Sequence, residues 1–96
     1  YIYQDLKDQL QKYKNAVKLK AFEVKKEELR VERSRNQAEI SFQQHQEGLI
    51  DYLEYQENWI ESRNTEINYQ SLQDQLFVNK IQLINFIDKD ILAGGI

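Results

Sequence analysis

The stretch Glu47-Gly48-Leu49-Ile50-Asp51-Tyr52-Leu53-Glu54 decides the fold. Gly48 is the only glycine before the Gly94-Gly95 pair. Glycine leaves a helix cheaply, because it has no Cβ to clash at positive φ. Three residues on, Asp51 is placed to accept hydrogen bonds from the free N–H groups of a new first turn. Glu54 follows at the spacing of a capping box, and Ile50 and Tyr55 occupy the positions of a hydrophobic staple. Stop, cap and staple within nine residues predict a tight tip, residues 48–50, between a helix over 5–47 and a helix over 51–92.

Outward from the tip, the composition agrees. The 96 residues hold no proline and three glycines, so few loops can be built. Hydrophobic residues make up 41% and charged residues 30%. That is enough apolar surface for a helical seam and too little for a thick core. The formal net charge of −3 and the absence of a basic stripe argue against a nucleic-acid partner. Without cysteine there is neither a disulfide framework nor a thiolate metal site.

Before the tip, Leu10, Val17, Val24, Val31, Ala38 and His45 form a strict seven-residue series. Leu6, Tyr13 and Ala21 support it on one side, and Phe22, Leu29 and Phe42 broaden it; such a repeat marks helices that supercoil around partners. The companion positions decay into Lys20, Glu27, Ser34 and Ser41. Glu27–Arg30 and Glu32–Arg35 are attractive at i,i+3. The mixed charges of residues 25–35 read as a solvated face, or as an electrostatic contact with a neighbouring helix. After the tip, Leu53, Ile60, Ile67 and Ile81 repeat at seven, interrupted by Asp74, with Trp59, Tyr69, Leu72, Leu76, Val78, Leu83, Ile84 and Ile87 as a broader apolar surface. The expected class is all-α, a long antiparallel two-helix hairpin of coiled-coil type. So thin a seam implies further helices from elsewhere.

Catalytic chemistry finds no foothold. His45 is the only histidine, and a metal ligand needs partners of its kind. It reads as a packing residue beside the tip. The carboxylates are spread along helices, and no phosphate loop, nucleophile elbow or zinc-protease motif occurs. The reading is of a protein that is not an enzyme and holds no cofactor or metal.

With the tip and helices described, the chain resembles the C-terminal helical hairpin of the TolC-type outer membrane efflux proteins. The family turn, Gly-Leu-x-x-aromatic-Leu-acid, is matched at every patterned position by residues 48–54. Thr65-Glu66-Ile67-Asn68-Tyr69 and Ile91-Leu92-Ala93-Gly94-Gly95 are similar to family text further on. The chain departs from the family pattern at Gln44-His45 and at Glu57-Asn58-Trp59. The resemblance implies one hairpin of a homotrimeric α-barrel lying in the periplasm below a β-barrel in the outer membrane of a Gram-negative cell. On it, the chain is a fragment of a longer protein, which accounts for the missing signal peptide and strands. The tip would dock to a periplasmic adaptor protein served by an inner-membrane pump, for export of small molecules or metal ions. The docking tip would be Gly48, Leu49, Ile50, Asp51 and Leu53, in which Gly48 would permit the turn, Leu49 would offer an apolar contact, Asp51 would cap, and Leu53 would anchor the turn to the first helix. The alternative is a free-standing antiparallel coiled coil with a structural or scaffolding role.

Overall fold

Lys, Glu, Gln, Arg, Leu and Ala dominate residues 2–46, and each gives up little rotamer freedom in a helix. Same-face bonds support them, from Gln4 to Asp8 at 3.1 Å and from Gln11 to Asn15 at 3.0 Å. In the computed structural model, which describes residues 2–92, this segment is one helix, α1, Ile2–Gln46. It begins three residues before the expected start. The return helix, α2, is Tyr52–Phe86. The expected helix to 92 is α-helical only that far, because Ile87–Leu92 winds as a π-helix. The stop expected from Gly94-Gly95 lies outside the described residues. The architecture is all-helical, with two long helices packed against each other.

The contacts divide into two compact units, one of residues 1–24 with 72–96 and one of Lys25–Ser71. In the first unit, α1 contributes Leu6, Leu10, Tyr13, Val17, Lys20 and Val24, all half-buried. The steps alternate four and three, the spacing of a supercoiled seam. α2 answers with Leu72, Leu76, Asn79, Leu83 and Phe86 at the same spacing. Tyr13 and Phe86 meet with ring centroids 4.9 Å apart, and Phe86 is 4% exposed. Lys20 turns its ammonium outward to Gln75 at 2.9 Å and Glu23 at 3.0 Å, leaving its stem along the seam.

In the second unit the spacing continues with different chemistry. α1 supplies Glu27, Val31, Ser34, Ala38, Ser41 and His45; α2 supplies Tyr55, Asn58, Ser62, Thr65 and Tyr69. Small hydroxyl residues replace Leu and Val, and polar rungs replace apolar layers. Ser34 and Thr65 hydroxyls are 2.6 Å apart, and the Asn58 amide donates to the Ser41 hydroxyl. Ser34 also reaches the Val31 carbonyl, and Thr65 the Ser62 carbonyl. Two hydroxyl hydrogens serve three contacts, so one of the three lacks a hydrogen at any moment. Arg35 reaches across to Glu66 at 2.8 Å rather than along its own helix to Glu32. The charged middle of α1 thus does touch a neighbouring helix, through this one pair, while Glu27–Arg30 forms at 3.4 Å.

The seam of α2 lies on a different face from the series Leu53, Ile60, Ile67, Ile81. Those four are 63%, 51%, 62% and 40% exposed. The period of seven is right and the phase is not. Thr65 packs where no apolar reading would place it, because its hydroxyl meets that of Ser34 across the seam; Ser62, 6% exposed, lies one turn before it and offers it a backbone carbonyl. Leu53 accordingly does not anchor the turn to α1.

Phe86 and Phe77 test this phase. Phe86→Ala removes a buried ring and costs about 3 kcal/mol of unfolding free energy. Phe77, 65% exposed, tolerates the same change within about 0.5 kcal/mol. Urea unfolding followed by circular dichroism at low protein concentration measures both. Glu66 supplies a pH test. The hydrogen bond from Arg35 holds its carboxyl below the ordinary value of 4.5. The pair's contribution is present above that value and lost as pH falls through the depressed one. Glu66→Gln removes this part of the acid-induced loss of stability, a small part because the pair meets solvent.

Candidate functional site: the hairpin tip

The tip is built by two caps back to back. α1 ends in a paired-bond motif around Gly48, whose φ is +77°. The Gly48 N–H donates to the His45 carbonyl at 3.0 Å, and the Leu49 N–H donates to the Gln44 carbonyl at 2.8 Å. These are the two bonds of a Schellman cap, with glycine at the left-handed position. No atom lies within 4 Å of where a Gly48 Cβ would stand. Glycine is required here by backbone conformation and not by crowding.

α2 begins at the next opportunity. The Glu54 N–H donates to the Asp51 carboxylate at 2.8 Å, and the Tyr55 N–H donates to the Asp51 carbonyl at 3.2 Å. Asp51 is therefore the N-cap, with its carboxylate at the positive end of the new helix. Of the staple pair, Ile50 and Tyr55 are both half-buried. The observed partner of Tyr55 is His45, with the rings stacked at 5.4 Å and 14°. Tyr52 packs at 5.9 Å from His45, and Phe42 at 6.0 Å from Tyr55. His45 Nδ1 lies 3.3 Å from the Ile50 carbonyl, which ties the end of α1 to the turn.

This aromatic lock is the part of the site that the sequence reading missed. Its signal was present: His45 on the seam series of α1, and Tyr52 and Tyr55 in the first turn of α2. Of the five expected docking residues, Gly48 and Asp51 form the backbone of the turn and Ile50 is half-buried. Leu49 and Leu53 point to solvent, 68% and 63% exposed, and Tyr52 joins them at 59%. The turn thus holds a rigid backbone under a small apolar crown. One helical turn further, Trp59 is 52% exposed with the Arg63 guanidinium 5.8 Å above its ring.

Two shallow grooves flank the seam in this unit. One, about 310 Å³, is lined by Ala38, Phe42, Gln43, Tyr55 and Trp59 together with Glu39. The other, about 330 Å³, runs between Arg30, Arg33 and Gln37 on α1 and Asn58 and Glu61 on α2. Among the described residues, no group of three His, Cys, Asp or Glu side chains is placed to hold a metal ion. Nor is any helix among them long and apolar enough to cross a membrane.

Against family models, curated proteins and solved structures, the chain finds no match.

The two caps predict graded effects. Asp51→Ala leaves a free N–H in the first turn of α2 and costs about 1 kcal/mol, whereas Asp51→Asn keeps most of the cap. Gly48→Ala forces a Cβ into the left-handed region and costs about 1 kcal/mol; Gly48→Asn costs less. Thermal unfolding of the four variants, ranked against the parent, checks the order.

Proposed function

We propose that this chain is a periplasmic tunnel-forming hairpin of a TolC-type outer membrane efflux channel, and that its tip docks to a periplasmic adaptor protein. The observation that carries the reading is the turn itself. The family-like residues 48–54 occupy a Schellman stop and an Asp51 cap, and they expose Leu49, Tyr52 and Leu53 at the extreme end of the hairpin. A rigid turn that shows apolar side chains to water is suited to a partner, since such residues at a loop otherwise only cost solubility.

On this proposal each protomer of a homotrimer contributes the hairpin to an α-barrel, and the exposed outward face of α2 is covered by neighbouring helices. The adaptor, served by an inner-membrane pump, receives Leu49 and Leu53 at the tip. Gly48 and Asp51 fix their presentation without themselves being contacts. Small molecules or metal ions would pass through the tunnel, with the outer membrane spanned by other parts of the protein.

A second reading is supported by the unbroken four-three seam. A structural or scaffolding coiled coil needs no more than that. The two readings separate at the tip, which a scaffold has no reason to keep apolar. In the full-length protein, Gly48→Val and Leu49→Asp should each abolish most export while leaving assembled protein in the envelope. Unchanged export in both variants removes the channel reading and leaves the scaffold.

A further inference from the structure

The groove lined by Ala38, Glu39, Phe42, Gln43, Tyr55 and Trp59 has aromatic walls and one charged side chain. Phe42 and Trp59 are 46% and 52% exposed. Tyr55, half-buried, lies 6.0 Å from Phe42 between ring centroids. Glu39 is exposed, and among the described residues it makes no ion pair and no side-chain hydrogen bond. Aromatic faces are electrically negative, and an unmatched carboxylate beside them adds to the same sign. A groove so built attracts a cation carried on an apolar stem.

Arg63 does not fill it. Its guanidinium stands 5.8 Å over the Trp59 ring, but it reaches Glu66 at 3.6 Å rather than Glu39, and it is not part of the lining. Arg63 therefore shows that this ring draws a cation, and it leaves Glu39 unmatched. The groove is also continuous with the tip. Tyr52, Tyr55 and Trp59 follow at steps of three and four, so one strip of α2 runs from the exposed crown into the groove. The groove lies at the side of the hairpin, between α1 and α2. Helices that cover Leu53, Ile60 and Ile67 in a barrel lie on another face of α2 and leave it open. Trp59 stands outside the family-like turn of residues 48–54, at a position where the chain departs from the family pattern.

We infer that this groove receives one basic side chain from the partner that docks at the tip, and that Glu39 and Trp59 select that partner. The inference rests on the channel reading, in which the partner is the adaptor, and adds the chemistry by which the adaptor is chosen. The stem of the incoming Lys or Arg lies along Phe42 and Trp59, and its charged head meets Glu39 at the rim. A free small molecule fits less well, because a shallow groove covers too little of its surface.

Export by the full-length protein, with the assembled protein in the envelope measured alongside, tests the inference. Glu39→Asp keeps the charge and Trp59→Tyr keeps an aromatic face, and both should export as the parent does. Glu39→Gln should lower export about threefold and Glu39→Arg about tenfold, since like charges then meet. Trp59→Ala should lower it about tenfold. Assembly should be unchanged throughout, because both side chains are exposed. Second-site changes selected to restore export to Glu39→Arg should replace a basic residue of the adaptor by a neutral or acidic one. Parent-level export by Glu39→Arg or by Trp59→Ala overturns the inference. So does an equal loss in Glu39→Gln and Glu39→Arg, or restoration by changes confined to this chain. Leu49→Asp in the same assay separates the two claims. If it abolishes export while Glu39→Arg does not, the groove inference fails and the channel reading stands; if neither variant matters, both fall.

Discussion

The seven-residue seam is the constraint on which everything else hangs. A helix of 45 residues and one of 35 can lie together only if each returns a side chain to the contact every three or four residues. Within the first unit those side chains are mostly Leu, Val, Tyr and Phe, and burial alone explains them. Within the second, Ser, Thr, Asn, Ala and one Glu stand among Val31, His45, Tyr55 and Tyr69, and burial explains less. Here the helices are matched by hydrogen-bonded rungs, Ser34 with Thr65 and Ser41 with Asn58. A rung is worth little net stability, but misplacing it leaves a buried polar atom without a partner. Its effect is on register more than on strength. Ser41 shows this most directly, being fully buried and satisfied only because Asn58 stands where it does.

Glu27 is the exception that locates the tension. It occupies a seam position, is 8% exposed, and bonds Arg30 through one oxygen while the other has no partner. A carboxylate so placed opposes packing that Val31, one turn on, favours. The second unit is therefore held by directional contacts and one strained ionic residue, where an apolar seam would have been simpler. That composition suits a segment whose register must be exact and whose grip need not be strong.

The hairpin and its turn were legible in the sequence because their signals are local. Gly48 and Asp51 act through backbone geometry within four residues, and no other part of the chain can cancel them. The α1 seam was legible for a related reason. Its series from Leu10 to His45 is apolar at five of six positions, and only its flank misleads, since Phe22, Leu29 and Phe42 are 65%, 54% and 46% exposed. On α2 two series compete. Leu53, Ile60, Ile67 and Ile81 are the more hydrophobic, and an apolar count prefers them. Tyr55, Ser62, Tyr69, Leu76 and Leu83 form the observed seam, although Ser62 in it is polar and buried. Periodicity fixes spacing on one helix; phase depends on what the other helix offers.

That competition has a consequence for how the molecule meets its surroundings. An amphipathic helix with one seam spends its apolar residues inward. α2 of the second unit does the reverse, keeping hydroxyls and amides for α1 and turning Leu53, Ile60 and Ile67 away. Exposed apolar side chains at isolated positions need no explanation, but a series in strict register on an almost uncharged face does. The hairpin supplies geometry, through two caps and an aromatic lock at His45 and Tyr55, and holds its polar rungs inward while this apolar series faces out.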